Sequence, residues 1–86
     1  TPDLVVEIKS QSDRIKSLKQ KIKKYLELGA QVGILIDPDE EIVIVYRSNG
    51  EEIELNNGDI LTIPELFGEW ELSIFELWPP VFDEDE

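Results

Sequence analysis

The chain has 86 residues, enough for one small domain, and 41% of them are apolar, enough to fold around a modest core. It contains no histidine and no cysteine, which excludes Ser-His-Asp and Cys-His catalytic sites, Cys/His zinc sites, disulfide scaffolds and thiol redox centres. A net charge of −12 argues, taken globally, against a nonspecific nucleic-acid surface.

The charge is unevenly distributed. Residues 1–36 carry seven basic residues against four acids, whereas residues 37–86 carry Arg47 against sixteen acids. This polarity points to a cationic working half and an acidic solubilising half. No apolar stretch approaches the roughly 20 residues of a membrane span, and no basic segment with a cleavage site precedes an apolar run. The expectation is a soluble, cytoplasmic protein. The chain also lacks methionine and enters an apolar run directly after Thr1, which points to the C-terminal piece of something longer.

Pro2 to Lys9 reads as a strand, its apolar run Leu4, Val5, Val6 and Ile8 fitting a strand covered on both faces. Alternation places Asp3, Val5, Glu7 and Lys9 on one face and Leu4, Val6 and Ile8 on the other. Ser10 and Asp13 stand at capping-box spacing before a predicted helix from about Asp13 to Leu28. Ile15, Leu18, Ile22, Tyr25 and Leu26 form its apolar stripe, and Gly29 stands where a left-handed C-cap would end it. Gln31 to Ile36 is the second strand, stopped by Asp37-Pro38-Asp39-Glu40. Strand, crossover helix and strand make a right-handed parallel unit. Glu41 to Arg47, the turn Ser48-Asn49-Gly50 and Glu51 to Leu55 form an antiparallel hairpin on the edge of the same sheet.

Ile60 to Ile63 is a short extended segment halted by Pro64. Leu66 to Phe82 holds Phe67, Trp70, Phe75, Trp78 and Phe82, a cluster expected to lid a core. Ser73 and Glu76 at capping-box spacing predict one helical turn around Ile74 to Leu77, which Pro79-Pro80 ends. Residues 1–82 thus read as one unit, the C-terminal part of a domain, and Asp83-Glu84-Asp85-Glu86 as a disordered acidic tail.

The constellation with chemistry in it is Glu7-Ile8-Lys9. Residues two apart on a strand share a face at roughly 6.5 Å, so a carboxylate and an ammonium can address one site. Glu7 can hold a hard divalent cation, the carbonyl of Ile8 can add an oxygen ligand, and Lys9 can orient water or stabilise phosphate charge. Lys21 and Arg14 border the apolar stripe on the side of Tyr25, from which Lys21 can reach the site or a phosphate. An E-x-K triplet alone is a weak signal, more often an ordinary strand-end ion pair.

Pro2-Asp3-Leu4-Val5-Val6-Glu7-Ile8-Lys9-Ser10, then the helix with Lys21 four residues before Tyr25, Gly29, and a strand ending in Asp37-Pro38, together resemble the C-terminal half of a restriction-endonuclease family in the PD-(D/E)XK superfamily. The resemblance covers residues 2 to 47, with a looser echo from Leu66 to Pro80. It implies an α/β, restriction-endonuclease-like mixed sheet, a βαβ crossover followed by a β-hairpin, with the N-terminal part missing. It further implies Mg²⁺ or Mn²⁺ as cofactor, DNA as substrate, and Glu7 and Lys9 as catalytic residues, with Lys21 standing where some members keep a catalytic helix lysine; the placement of the residues themselves adds Glu7 and Ile8 as metal ligands and Arg14 and Lys21 as nucleic-acid contacts. Gln11 stands where the family often has proline and Gly33 where an aromatic is common.

Asp3 follows Pro2 in the manner of the superfamily's first metal-binding aspartate. It lies about 13 Å from Glu7 along the same strand, too far to share one cation, so Asp3 is assigned a structural role. In the resembled family that aspartate comes from the preceding strand, so this chain is expected to hold about half of an active site and to be inactive alone. The alternative reading is the same fold without catalysis, a protein-protein interaction or oligomerisation module. Unpaired edge groups around Leu4 to Ile8 predict self-association, and homo-oligomers are expected under either reading.

Overall fold

The computed structural model describes residues 2–79; the proposed acidic tail, Phe82 and Pro80 lie outside them. Strand β1 (Leu4–Ile8), helix α1 (Ile15–Glu27), β2 (Val32–Asp37), β3 (Ile42–Arg47) and β4 (Glu52–Leu55) follow the predicted order. They build a four-stranded sheet in the order β1-β2-β3-β4, with β1 parallel to β2 and the other pairs antiparallel. The fold is therefore a mixed α/β arrangement with one crossover helix.

The side-chain alternation of β2 and β3 separates two cores. Toward α1, Leu35, Ile44 and Tyr46 pack with Ile22, joined by Ile15, Leu18, Leu26 and Ile42. Toward the other face, Val32, Ile34, Val43 and Val45 pack with Leu61, Ile63 and Ile74. In that second layer the expected extended segment at Ile60 forms a strand, joined by a second strand and a helical turn that the sequence did not predict. β5 (Ile60–Thr62) and β6 (Glu71–Ser73) pair antiparallel, and a helical turn, α2 (Pro64–Phe67), lies between them. Pro64 starts this turn instead of only stopping the preceding strand, since a proline loses nothing at a helix's first position. Ile74–Leu77 is a 3₁₀ turn, α3, without a side-chain cap from Ser73.

Two local expectations are corrected. Helix α1 starts at Ile15 with Arg14 as N-cap, and no side chain caps it. Ser10 and Asp13 instead close a turn of their own: the backbone N–H and hydroxyl of Ser10 both donate to Asp13 Oδ2 at 2.9 Å. The C-terminus of α1 follows the sequence closely. Gly29, at φ 114°, lets its N–H reach Leu26 O and the N–H of Ala30 reach Tyr25 O, the paired bonds of a Schellman motif.

The aromatic lid is also different from expectation. Phe67, Trp70 and Phe75 are exposed, and of the described aromatics in that segment only Trp78 packs against the core. Aliphatic side chains close this face instead, with Leu66, Leu72 and Leu77 around buried Ile63 and Ile74. Trp78 is fixed by its indole N–H, which donates to Asn57 Oδ1 at 2.8 Å.

Candidate active site

The C-terminal ends of two parallel strands meet beside α1. Glu7 of β1 stands opposite Leu35, a residue on the helix side of β2, so the Glu7 side chain also faces α1. Lys9 continues the ladder, its N–H donating to Ile36 O at 2.8 Å. Asp3 opens the ladder, its carbonyl accepting from the N–H groups of Gln31 and Val32, while its side chain accepts from Gln31 Nε2. Odd-numbered residues of β1 thus bond to β2. By the alternation of a parallel ladder, the main-chain groups of Leu4, Val6 and Ile8 point to the opposite edge, where the described sheet has no further strand. The Ile8 carbonyl is therefore not consumed by β2, and Asp3 performs the structural role assigned to it.

Glu7 and Lys9 are each engaged by a different partner. Lys21 of α1 places Nζ 2.8 Å from Glu7 Oε1, across from a carboxylate whose side chain is 20% exposed. This contact raises the proton affinity of Lys21, through the hydrogen bond first and the negative charge of Glu7 second. Lys9 Nζ lies 3.6 Å from Asp39 Oδ2 and donates to Ser10 O at 3.3 Å. The two lysines therefore flank Glu7 from helix and strand, one neutralising it and the other turned toward the β2–β3 connection.

That connection is built by Asp37, 3% exposed at the end of β2. Its Oδ1 accepts the N–H groups of Asp39 and Glu40, and Glu41 follows in the left-handed region at φ 53°. Sequence reasoning read Asp37-Pro38-Asp39-Glu40 as a turn and missed its contact with Lys9. The signal available was the spacing: two acids follow the strand that pairs with Lys9's own.

Arg14 lies exposed at the start of α1, and among the described residues its side chain makes no ion pair. Asp13, one residue earlier, is held below the usual carboxylate range by hydrogen bonds from the Ser10 backbone and hydroxyl. The cationic and acidic halves of the sequence touch in the fold. Lys9 meets Asp39 and Lys19 approaches Glu52 at 3.9 Å, so bases of the first half sit on acids of the second.

Residues 1–74 match the model of the Uma2 family, described as "Putative restriction endonuclease". The chain belongs to the Uma2 family. A crystal structure of a "putative nuclease belonging to DUF820" from Anabaena variabilis is similar in fold and sequence, with a TM-score of 0.81 and 34% identity. The similarity covers 88% of this chain and 43% of that one, so the chain spans less than half of its structural relative. No curated protein matches. The Uma2 match and this likeness establish a restriction-endonuclease-like α/β fold.

The family implies a divalent cation, and the donor set tests that. Glu7 offers a carboxylate and Ile8 a carbonyl free of the β2 ladder, both hard oxygen donors of the kind Mg²⁺ and Mn²⁺ accept. These two fit such an ion. Among the described residues no group of three or more Asp, Glu, His or Cys side chains is placed to hold one. No helix among the described residues is long and apolar enough to cross a membrane.

Proposed function

We propose that the chain carries the E-x-K part of a metal-dependent DNA endonuclease site. The observation that carries this reading is the direct contact of Glu7 with Lys21 at the end of β1, two residues before Lys9 on the same strand face. Glu7 and the Ile8 carbonyl would hold Mg²⁺ or Mn²⁺, which supplies Lewis-acid activation of water and of the scissile phosphate. Lys9, on the same face as Glu7, orients the attacking water and offers positive charge to the phosphoryl oxygens as they become more negative. Lys21 and Arg14 hold backbone phosphates from the helix side. A second carboxylate for the same ion is expected from outside the described residues.

The test is cleavage of supercoiled plasmid with Mn²⁺ by the intact protein, beside Glu7→Ala and Lys9→Ala variants checked for folding. The reading requires that the parent nick DNA and both folded variants lose at least about 100-fold, the usual scale for an acid-base or electrostatic group. Variants that cleave as fast as the parent would refute these assignments.

A second reading has its own observation. β1 is an edge strand of the described sheet, and Val6 and Ile8 are 46% and 63% exposed beside its unpaired main-chain groups. Such an edge favours association by strand addition. Under this reading the same fold serves as an oligomerisation module, and sedimentation of the intact protein as a clean monomer at micromolar concentration would refute it.

A further inference from the structure

The Glu7–Lys21 contact raises a question that a catalytic role for both residues leaves open. Lys21 Nζ lies 2.8 Å from Glu7 Oε1, so an ammonium occupies the hydrogen-bonding space of the carboxylate oxygen that a cation would take. We propose that Lys21 and a divalent cation compete for Glu7, with Lys21 as the resident counterion that the incoming ion displaces toward the substrate phosphate. This inference rests on the nuclease reading and assigns Lys21 a role in cation occupancy.

Three observations support it. First, the neighbouring base cannot do the same work: Lys9 is held by Asp39 and the Ser10 carbonyl, which leaves Lys21 as the ion-pair partner of Glu7 among the described residues. Second, the two side chains differ in freedom. Glu7 is 20% exposed and fixed on a strand, whereas Lys21 is 54% exposed at the end of a long, flexible stem, so the lysine is the member that can leave. Third, the buried neighbour of Lys21, Ile22, anchors the helix over Gly33 of β2, so the backbone need not move when the ammonium swings away. A divalent ion and an ammonium on one carboxylate repel each other, an effect that water weakens at half-exposed Lys21 but does not remove at contact distance.

The competition has an unusual sign. A lysine that merely supported the site would, when removed, weaken both metal binding and cleavage. A competing lysine, when removed, strengthens metal binding while cleavage falls. The experiment is Mn²⁺ titration of the intact protein, followed by the loss of the free-ion electron paramagnetic resonance signal, for wild type, Lys21→Gln, Lys21→Arg, Glu7→Gln and the control Lys16→Gln. Lys16 is exposed on α1 away from the site and controls for a simple change in net charge.

We expect Lys21→Gln to bind Mn²⁺ about tenfold more tightly, the scale of removing one close like charge, with Lys21→Arg and Lys16→Gln within about twofold of wild type. Binding that depends on Glu7 but is unchanged or weakened in Lys21→Gln overturns the competition and leaves the nuclease reading standing. Affinity equal in wild type and Glu7→Gln removes Glu7 as a ligand, and overturns both.

Discussion

Ile22 of α1 lies directly over Gly33 of β2, so close that a Cβ on Gly33 would overlap Ile22 Cγ2. Ile22 is fully buried and β-branched, so its methyl cannot swing aside. The glycine thus lets the helix approach the sheet, and Tyr46, opposite Gly33 in the ladder, covers the vacant side-chain position. Gly33→Ala should destabilise the fold by about 1–3 kcal/mol, the range for overpacking a well-filled core. Urea unfolding would show it as a lowered midpoint at unchanged slope. A smaller partner should rescue the loss: in Ile22→Ala the added methyl at Gly33 should cost less than it does beside Ile22, a coupling measurable in a double-mutant cycle.

The hydroxyl of Tyr46 gives a prediction of opposite sign. It is buried without a hydrogen-bond partner among the described residues, and burial, aided by the negative charge of Glu52, pushes the phenol up to about 12. The fold favours the neutral phenol, so this contribution to stability is whole below pH 10 and is lost as the pH rises toward 12. Tyr46→Phe keeps the ring and removes the orphan group. It should leave stability at pH 7 unchanged or raise it by up to about 1 kcal/mol, and should flatten the decline between pH 10 and 12. Urea midpoints at pH 7 and pH 11 test both parts; a large loss at pH 7 would mean that the hydroxyl has a partner after all.

What the sequence revealed and what it hid follow one physical rule. Signals local in the chain were legible. The apolar run of β1, the 3.6-residue stripe of α1, Gly29 at the helix end and the turn before β4 each depend on residues within one or two turns, and each element formed where expected. Features requiring distant partners were hidden. The β5–β6 pair depends on register across the connection from Ile63 to Trp70, and each strand is only three residues long, too short for alternation to show. At the candidate site, Glu7 and Lys9 were visible as a triplet, and the wheel position of Lys21 placed it on the correct side of α1. Which acid takes which lysine was not visible, because that depends on the bend of the β2–β3 turn. The exposed aromatics misled because hydrophobicity reports what can be buried, and aliphatic side chains had already filled that face.

Arg47, at the end of β3, ties the β3–β4 turn to β5 and α2 of the second layer. Its guanidinium donates to Glu51 at 2.8 Å, to Glu65 of α2 at 2.9 Å and to the carbonyl of Thr62 at 3.4 Å. The hydrogen bond from Arg47 holds Glu65 below the usual carboxylate range. A depressed carboxyl adds stability that is present above its unfolded value of about 4.5 and is lost as the pH falls below it. Arg47→Ala should cost about 1–2 kcal/mol at pH 7, and Lys should restore little of it, since an ammonium cannot reproduce the planar fork. Glu65→Gln should remove part of the acid-range slope. Thermal unfolding between pH 3 and pH 7 would reveal this as convergence of variant and parent at low pH.

The turn that carries Asp39 to Lys9 depends on a residue outside that ion pair. Asp37 is nearly fully buried, and its Oδ1 accepts two backbone N–H groups of the turn. Asp37→Ala should destabilise the domain by about 1–2 kcal/mol, the net scale of the two lost hydrogen bonds. Asp37→Asn keeps an oxygen acceptor in place and should cost less. Asp39→Ala removes only an exposed ion pair and should change stability by less than about 1 kcal/mol. The three variants separate two functions of the same turn. If plasmid cleavage by the intact protein falls in Asp37→Ala and in Asp39→Ala but survives in Asp37→Asn, the turn acts by holding Lys9 in place. If Asp39→Ala cleaves as well as the parent, Lys9 needs no such restraint, and any loss in Asp37→Ala belongs to folding alone.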